Sequence, residues 1–195
     1  MNDAELIERS GHEPELFGAI FDRHFDVIVR FCVRRLGRAR GEDVAGDVFR
    51  WAFENRLRFL PSHDDARPWL FGIANNLVRE ALRSVGRQGL AYDRWLRQEE
   101  DDKEELDTHV AASIDAEHDL FAVAAALELQ PTEDVETVLL FAWEGLSYAQ
   151  VAEALSIPVG TVRSRISRVR QHLHDHLGLS LITFDCPKSS QGGSV

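Results

Sequence analysis

Apolar residues recur at steps of three and four in two separate blocks of the chain, which is the spacing of one α-helix face. In the first block this spacing predicts helices over residues 14–36, 42–56 and 68–87. Their expected buried faces are Phe17, Phe21, Phe25, Ile28, Cys32 and Leu36, then Val44, Val48, Trp51 and Ala52, then Leu70, Ile73, Ala74, Leu77, Ala81 and Val85. Because no segment shows the two-residue alternation of a half-buried strand, the sequence predicts an all-α fold.

The second block predicts four further helices. The first contains Leu120, Val123, Ala124 and Leu127 and is closed by Pro131. The second follows Thr132 and ends at Gly145, and its expected inward face consists of Val135, Val138, Leu139 and Ala142. The last two cover residues 148–155 and 158–177. Thr132 and Ser147 are the expected N-caps of the second and third, since their hydroxyl oxygens can accept a backbone N–H.

An acidic segment separates the two blocks. Most of the excess acid behind the net charge of −11 lies between residues 88 and 130, and residues 99–105 form a run that cannot bury apolar surface. This run is either a solvated tether or an acidic strand that occupies a basic channel on a partner. We therefore expect a small helical domain, a flexible acidic linker, a second small helical domain and a flexible tail, over residues 1–92, 93–118, 119–177 and 178–195.

Composition excludes several classes of protein. The two cysteines, Cys32 and Cys186, lie far apart and in no metal-ligand spacing, which argues against a disulfide scaffold or a zinc ribbon and fits a reducing cytoplasm. No apolar run approaches the roughly 20 residues of a membrane helix. The acidic N-terminus lacks the apolar core of a signal peptide. We expect a cytoplasmic protein with no membrane partner.

The most specific motif lies in residues 147–173, two helices joined by a tight turn at residues 156–158. Their shared core would consist of Val151, Leu155, Ile157, Val162, Ile166, Val169 and Leu173. The opposite side of the last helix would present Arg163, Ser164, Ser167, Arg168 and Gln171, with Arg165 and Arg170 beside them. Because no acid occurs between Val159 and Gln171, this face suits the major groove of DNA. The alternative is an ordinary helical hairpin with a solvated arginine face.

The third helix of the first block carries polar and aromatic residues away from its buried stripe. These residues are Trp69, Asn75, Asn76, Arg79, Arg83 and Arg87. Aromatic and arginine side chains beside a polar loop suit an unstacked, single-stranded base. The alternative is that Trp69 belongs to the core and the arginines are solvated.

The sequence contains no glycine-rich phosphate loop and no nucleophile motif, so we expect neither an enzyme nor a cofactor. His172, His174 and His176 mimic a metal site, but histidines at a helix C-terminus also suit the helix dipole, and we predict no metal. The rival hypothesis is a stand-alone transcriptional regulator that uses only its helix-turn-helix. That hypothesis leaves the first block without a role.

Taken together, the chain resembles a bacterial RNA polymerase sigma factor of the extracytoplasmic-function (ECF) group of the sigma-70 family. Residues 16–87 resemble region 2, above all at residues 21–24, 42–49 and 67–77. Residues 127–173 resemble region 4, and Ile-Pro-Val-Gly-Thr-Val-Arg-Ser-Arg at residues 157–165 is close to the family's signature. The resemblance implies two independent motifs in the order that the family uses.

For the first block, the resemblance implies that the helix over residues 43–53 docks on the clamp helices of the polymerase β′ subunit. The contact residues would be Asp43, Asp47, Val48 and Trp51. Gly46 stands where the family usually has a glutamine. The loop over residues 59–67 and the following helix would recognise and melt the −10 promoter element, with one flipped base near Asn76. The residues implied for that role are Phe59, His63, Arg67, Trp69, Asn75, Asn76, Arg79 and Arg83.

For the second block, the resemblance implies that the last helix reads the −35 element. The residues implied are Thr161, Arg163, Ser164, Arg165, Ser167, Arg168 and Gln171. Ser156 replaces a frequent turn glycine and Ser167 an often bulkier residue. The implied partners are promoter DNA, core RNA polymerase through its β′ clamp helices and β flap, and an anti-sigma factor. The acidic segment would thread the polymerase active-site cleft.

Overall fold

The structure, a computed structural model, describes residues 1–59, 64–85, 123 and 125–177. Within these ranges every regular element is a helix, and the all-α prediction is confirmed. The described residues fall into two compact units, the first within Met1–Ile114 and the second within Asp115–Val195. The predicted linker over residues 93–118 and the predicted tail over residues 178–195 lie outside the described residues. Among the helices described, none is long and apolar enough to cross a membrane.

The first unit is built from four α-helices and two short 3₁₀ turns in the part of the chain described. Its elements are α1 (Asp3–Arg9), a turn at Pro14–Phe17, α2 (Gly18–Leu36), α3 (Arg38–Glu54), a turn at Arg56–Arg58, and α4 (Arg67–Val85). Helices α2, α3 and α4 pack against one another. Ile28, Val48 and Leu70 are fully buried between them, and the rings of Phe31 and Phe71 meet edge to face at 5.2 Å.

The predicted buried faces of α2 and α3 are partly wrong. In α2 the core residues are Ile20, His24 and Phe31 together with Phe17, Ile28 and Cys32, whereas Phe21 is 39% exposed. In α3, Ala45 and Phe49 are buried, whereas Trp51 is 42% exposed. Each helix carries two adjacent apolar stripes with helical spacing, and the neighbouring helices determine which stripe is buried.

Helix α1 is absent from the sequence prediction. The Asn2 side chain accepts a 2.8 Å hydrogen bond from the amide of Glu5, and the Glu5 side chain accepts one of 3.1 Å from the amide of Asn2. This reciprocal capping box starts the helix. Leu6 and Ile7 are buried, at 2% and 1% exposure, and attach the helix to the rest of the unit.

Two glycines shape the junction between α2 and α3. Gly37 has a φ of 79° and separates the helices by a single residue, so α3 begins four residues before the predicted start at 42. Gly41 packs directly on the backbone of α2, because a Cβ at this position would lie 2.4 Å from the Cα of Val33. The absence of a side chain at Gly41 therefore allows the two helices to approach closely.

The second unit contains helical residues 125–128, then α5 (Thr132–Ala142), α6 (Tyr148–Leu155) and α7 (Val159–Leu177). The three labelled helices pack together around Leu140, Val151 and Ile166. Ser147 caps α6 as predicted, with Gln150 completing a capping box. Thr132 is not the cap of α5. Pro131 holds that position, and its carbonyl accepts the amides of Asp134 and Val135 at 2.9 and 3.1 Å.

The inward face predicted for α5 is only partly correct. Val138 is buried, but Val135, Leu139 and Ala142 are only half-buried, while Leu140 and Phe141 are in the core. Asp134, Glu136 and Thr137 are buried as well. Because α5 packs against both α6 and α7, it buries more than one side, and a single apolar stripe does not describe it.

Candidate nucleic-acid interface

The turn between α6 and α7 has the left-handed residue typical of a tight helix-turn-helix. Ser156 has φ 53° and ψ 45°, and among the described residues no other non-glycine has a positive φ. The amide of Ser156 donates to the carbonyl of Glu153 and that of Ile157 to the carbonyl of Ala152, at 3.0 and 2.9 Å. These bonds satisfy the last carbonyls of α6 and fix the direction in which α7 starts.

One face of α7 is exposed and free of acidic groups over its first three turns. Val162, Ile166, Val169 and Leu173 are buried. The residues on the opposite face are exposed, and they are Arg163, Ser164, Ser167, Arg168 and Gln171. At about 100° per residue, these five positions lie within an arc of about 140°. The face is therefore narrow enough to enter a major groove as one surface.

Two of the predicted DNA-contacting arginines are engaged within the unit. Asp134, in the first turn of α5, is buried with its side chain 3% exposed. Its Oδ1 lies 3.5 Å from Nε of Arg165, and its Oδ2 accepts a hydrogen bond from Arg168. Arg165 also donates to the carbonyl of Glu133 and to the hydroxyl of Thr137, both at 3.4 Å. Arg165 thus joins α7 to α5 and lies outside the exposed face.

The other predicted residues of α7 differ in their contacts. The guanidinium carbon of Arg163 lies 6.0 Å from the centre of the Tyr148 ring, so the ring of α6 supports this arginine at the start of the exposed face. The hydroxyl of Ser164 donates to the carbonyl of Thr161 at 2.9 Å. Gln171 donates to Asp175 at 2.8 Å. Ser167 and the half-exposed Arg168 lie between them on the same face.

In the first unit, an aromatic pair lies where the turn after α3 meets the start of α4. The rings of Phe59 and Trp69 are 4.9 Å apart with an interplanar angle of 49°, and both residues are half-buried. Arg67 lies with its guanidinium 6.0 Å from the Phe71 ring. Further along α4, Asn76 and Arg83 are exposed and Arg79 is half-buried. His63 lies outside the described residues.

Two predicted contact residues are inside the first unit. Asn75 is 1% exposed, and its Oδ1 accepts a 3.0 Å hydrogen bond from Arg35 of α2. The sequence placed it beside Asn76 on the surface, but the packing of α4 against α2 covers it. Val48 is fully buried in the core. The three other residues predicted to bind polymerase, Asp43, Asp47 and Trp51, are exposed at intervals of four along α3 and share one face.

A polar network that the sequence did not reveal is centred on Asp3. Its Oδ1 accepts a 2.8 Å bond from Arg23, and its Oδ2 lies 2.7 Å from Nε2 of His24 and accepts the Ala66 amide at 3.0 Å. Burial raises the pKa of the Asp3 carboxyl, but these hydrogen bonds outweigh it and hold the pKa below its usual 3.8. Ligand atoms of Asp3, His24 and Asp65 lie within 4.8 Å of one another, yet both Asp3 oxygens already accept protein donors.

The second unit contains a helix-turn-helix whose exposed face carries arginines and no acids, and the first unit carries an aromatic pair. Together these features define a DNA-binding protein that acts in transcription. Comparison with known proteins agrees. Residues 20–88 match the family described as Sigma-70 region 2, and residues 121–173 match Sigma-70, region 4. The chain belongs to the ECF group of the sigma-70 family of RNA polymerase sigma factors.

The relatives and a solved structure extend this match over most of the chain. The chain is 31% identical over 179 residues to the ECF RNA polymerase sigma factor SigW of Bacillus subtilis (strain 168), covering 85% of this chain and 90% of SigW. It is 31% identical over 163 residues to the ECF RNA polymerase sigma factor SigE of Mycolicibacterium smegmatis, covering 80% of this chain and 59% of SigE. CnrH, solved in complex with the cytosolic domain of CnrY, is 25% identical with a TM-score of 0.61, over 91% of this chain and 98% of CnrH.

Proposed function

We propose that this chain binds core RNA polymerase and directs it to promoters, reading the −35 element with α7 and recognising and melting the −10 element with the surface around Phe59 and Trp69. The observation that carries the proposal is the exposed, acid-free face of α7 in a member of a sigma factor family. The reaction is promoter-specific initiation, with no catalytic residue and no cofactor in this chain. Its place of action is the cytoplasm, where the polymerase transcribes.

At the −35 element, Arg163 is proposed to read a base edge and Arg168 to contact a phosphate. The two residues lie five positions apart, so their directions differ by about 140° and they cannot reach the same base. Arg163 lies in the first half of α7 and is supported by Tyr148. Arg168 is 58% exposed, but its guanidinium is hydrogen-bonded to the buried Asp134, which limits its reach to the rim of the groove.

At the −10 element, the Phe59–Trp69 pair is proposed as the platform on which an unstacked base rests. Base stacking on an aromatic side chain contributes about 1–3 kcal/mol and tolerates different sequences. The exposed Asn76 lies seven positions after Trp69, about two turns further along the same face of α4, where its amide can bind the edge of a flipped base. Arg79 and Arg83 continue the surface and supply positive charge for the strand backbone.

The face of α3 that carries Asp43, Asp47 and Trp51 is proposed to dock on the clamp helices of the polymerase. It combines an exposed tryptophan with two exposed acids, and Asp47 accepts a 2.8 Å bond from Arg50 on the same helix. The second unit is proposed to contact the β flap. An anti-sigma factor is a further proposed partner, because the structurally similar sigma factor RpoE from Bartonella quintana is solved in complex with the anti-sigma factor NepR.

The requirement for polymerase tests the proposal as a whole. With a net charge of −11, the free chain is expected to bind duplex DNA poorly, since the acidic segment repels phosphate. Binding to promoter fragments is measured at physiological salt by fluorescence anisotropy, with and without core polymerase. Tight, promoter-specific binding should appear only with core enzyme. Equally tight binding by the free chain would support a stand-alone regulator and count against the proposal.

Melting is tested separately on the first unit. Asn76→Ala should reduce open-complex formation while core binding stays within about twofold of the parent, because the side chain is exposed and outside the core. The matched control is Glu80→Ala, an exposed residue one turn further along α4. Permanganate reactivity of unpaired thymines in the −10 region gives the result. Unchanged reactivity with Asn76→Ala would remove this residue from the melting role.

A further inference from the structure

Helix α1 contacts both ends of the connection between α3 and α4. That connection leaves the described residues after Phe59 and re-enters them at Asp64. The aromatic pair stands at its two ends, with Phe59 before it and Trp69 soon after it. Contacts that fix the two ends of this connection therefore also fix the relative orientation of the Phe59 and Trp69 rings.

The end that leads into α4 is attached to Asp3. The backbone amide of Asp3 donates to the carbonyl of Asp64 at 3.2 Å, and the Asp3 carboxylate accepts the amide of Ala66 at 3.0 Å. The same carboxylate is held by Arg23 and His24 of α2. Asp3 therefore joins α1, α2 and the start of α4 through a single buried side chain.

The end that follows α3 is attached to the other end of α1. The carbonyl of Ser10, the C-cap residue, accepts a 3.2 Å hydrogen bond from Nε of Arg56. Leu57 packs on the next residue, since its Cδ2 would lie only 2.9 Å from a Cβ at Gly11. The turn at Arg56–Arg58, which directly precedes Phe59, is thus held against α1.

Helix α1 itself is firmly placed. Its capping box closes the first turn, and Leu6 and Ile7 are 2% and 1% exposed. The seven steps along the chain from Asp3 to Ser10 rise by about 10 Å along a helix, so the two attachment points are held at a set separation. Neither attachment uses a side chain assigned to polymerase or DNA, since Asp64 and Ala66 take part only through their backbone.

We propose that α1 is a positioning element for the −10 surface and that Asp3 is its principal positioning residue. By fixing the turn before Phe59 and the lead-in to Trp69, it holds the aromatic pair in the arrangement that accepts an unstacked base. Because the aromatic pair is already ordered before DNA binds, less conformational entropy is lost on binding. The inference rests on the proposed −10 function and adds a residue with no contact to DNA.

The test uses holoenzyme reconstituted from core polymerase and the full chain. The probe is the non-template strand of a promoter that this holoenzyme transcribes, with 2-aminopurine at successive −10 positions, because stacking on an aromatic ring quenches its fluorescence. Asp3→Ala should weaken strand binding by about tenfold and flatten the base preference. Asp3→Asn keeps one acceptor oxygen, so its affinity for the strand should lie between those of the parent and of Asp3→Ala. Affinity for core polymerase and for a −35 duplex should stay within about twofold.

Two control variants separate the possible outcomes. Glu8→Ala changes an exposed acid of α1 and should match the parent. Trp69→Ala tests the platform itself, and if it leaves quenching unchanged, the proposed −10 function fails. If Trp69→Ala weakens binding but Asp3→Ala does not, the positioning inference alone is overturned. It is also overturned if Asp3→Ala lowers polymerase, −35 and −10 binding equally, since that result marks a purely structural role.

A second variant keeps the test available if Asp3→Ala unfolds the first unit. Arg56→Lys removes the Nε donor to the Ser10 carbonyl at the opposite end of α1 while retaining the charge. Circular dichroism first establishes that each variant is folded at the assay temperature. Arg56→Lys should then reduce quenching and base preference in the same direction as Asp3→Asn. Parent-like behaviour of a folded Arg56→Lys together with a folded Asp3→Asn would contradict the inference.

Discussion

The two units differ in how many elements supply the surface proposed to contact DNA. In the second unit one helix carries it, because Arg163, Ser167 and Gln171 follow each other at steps of four along α7. In the first unit the aromatic pair joins a residue after α3 to a residue in α4, and a third helix holds both ends. A surface on a single helix can be read from spacing, whereas a surface assembled from several elements depends on the fold.

In the described residues each unit buries an aspartate against basic side chains of a neighbouring helix, with different consequences. Asp3 binds Arg23 and His24 and connects the elements around the aromatic pair without contacting either ring. Asp134 instead binds two arginines of the helix that is proposed to read DNA. The buried acid of the first unit is therefore proposed to position the −10 surface, whereas the one of the second unit would compete with DNA phosphate for the arginines of the proposed −35 surface.

The largest expected effect concerns the close packing of the first unit. Gly41→Ala should lower its free energy of unfolding by about 3 kcal/mol or more, since the new Cβ would meet the backbone of Val33 at 2.4 Å. Gly46 lies on the same helix with nothing within 4 Å, so Gly46→Ala should stabilise by about 1 kcal/mol. Urea unfolding measures the change in the free energy of unfolding, and native-state hydrogen exchange shows which helices it affects. If Gly41→Ala also loosened α5 to α7, the two units would not be energetically independent.

The next effect separates the two arginines of the α7 face. Arg163→Ala should cost about 1–3 kcal/mol at one −35 position and relax the preference there, as the loss of a bidentate base contact does. Arg168→Ala should lower initiation on all promoters alike, since a phosphate contact carries no sequence information. Both are measured by transcription from a library of single −35 substitutions. If Arg163→Ala lowers transcription from every promoter by the same factor, Arg163 contacts the DNA backbone and not a base.

A smaller effect is expected from the Asp3 network, and it depends on pH. Because the folded-state pKa of Asp3 is lowered, the ionised carboxylate stabilises the fold above about pH 3.8, and this contribution is lost as pH falls below that value. At pH 7, Asp3→Asn should cost about 1–2 kcal/mol through weaker bonds to Arg23 and His24. Below pH 3.8 the urea-unfolding midpoints of the parent and the variant should approach each other as pH falls. A constant difference across that range would argue against the ionised network.

The smallest effect tests the turn of the second unit. Ser156→Gly should stabilise this unit by about 0.5–1 kcal/mol, since glycine adopts the observed φ of 53° without the Cβ strain. Gly145→Ala gives the opposite change at a second left-handed position, with φ 66°, and should destabilise by about 1 kcal/mol. Thermal unfolding monitored by circular dichroism compares them. A destabilising Ser156→Gly would mean that the serine hydroxyl contributes more than the backbone strain costs.

Several features of the molecule could be predicted because they depend on neighbouring residues in the chain. The Ser147 cap, the tight turn before α7 and the exposed face from Arg163 to Gln171 all follow from residue types and spacing within one or two helical turns. The two sigma-70 regions could be recognised for the same reason, since their motifs are continuous stretches of sequence.

Other features required the packing of distant segments. The spacing predicted one buried face on α2, but contact with α3 and α4 buried Ile20 and Phe31 and left Phe21 exposed. Asn75 and Arg165 look like surface residues from their own helices, yet Arg35 and Asp134 engage them from other helices. Helix α1 has a capping-box pattern at Asn2 and Glu5 but only seven residues, too few for a periodicity to stand out.

The sequence by itself therefore determined the labelled helices other than α1, the helix-turn-helix and the family, because the hydrogen bonds and periodicities that specify them act over a few residues. Only the tertiary structure decided which side of each helix is buried, which arginines remain exposed, and that α1 holds the two ends flanking Phe59 and Trp69. The physical reason is that burial and hydrogen bonding between α1 and residues more than forty positions away depend on how the helices pack. That packing is a property of the whole unit and not of any one segment.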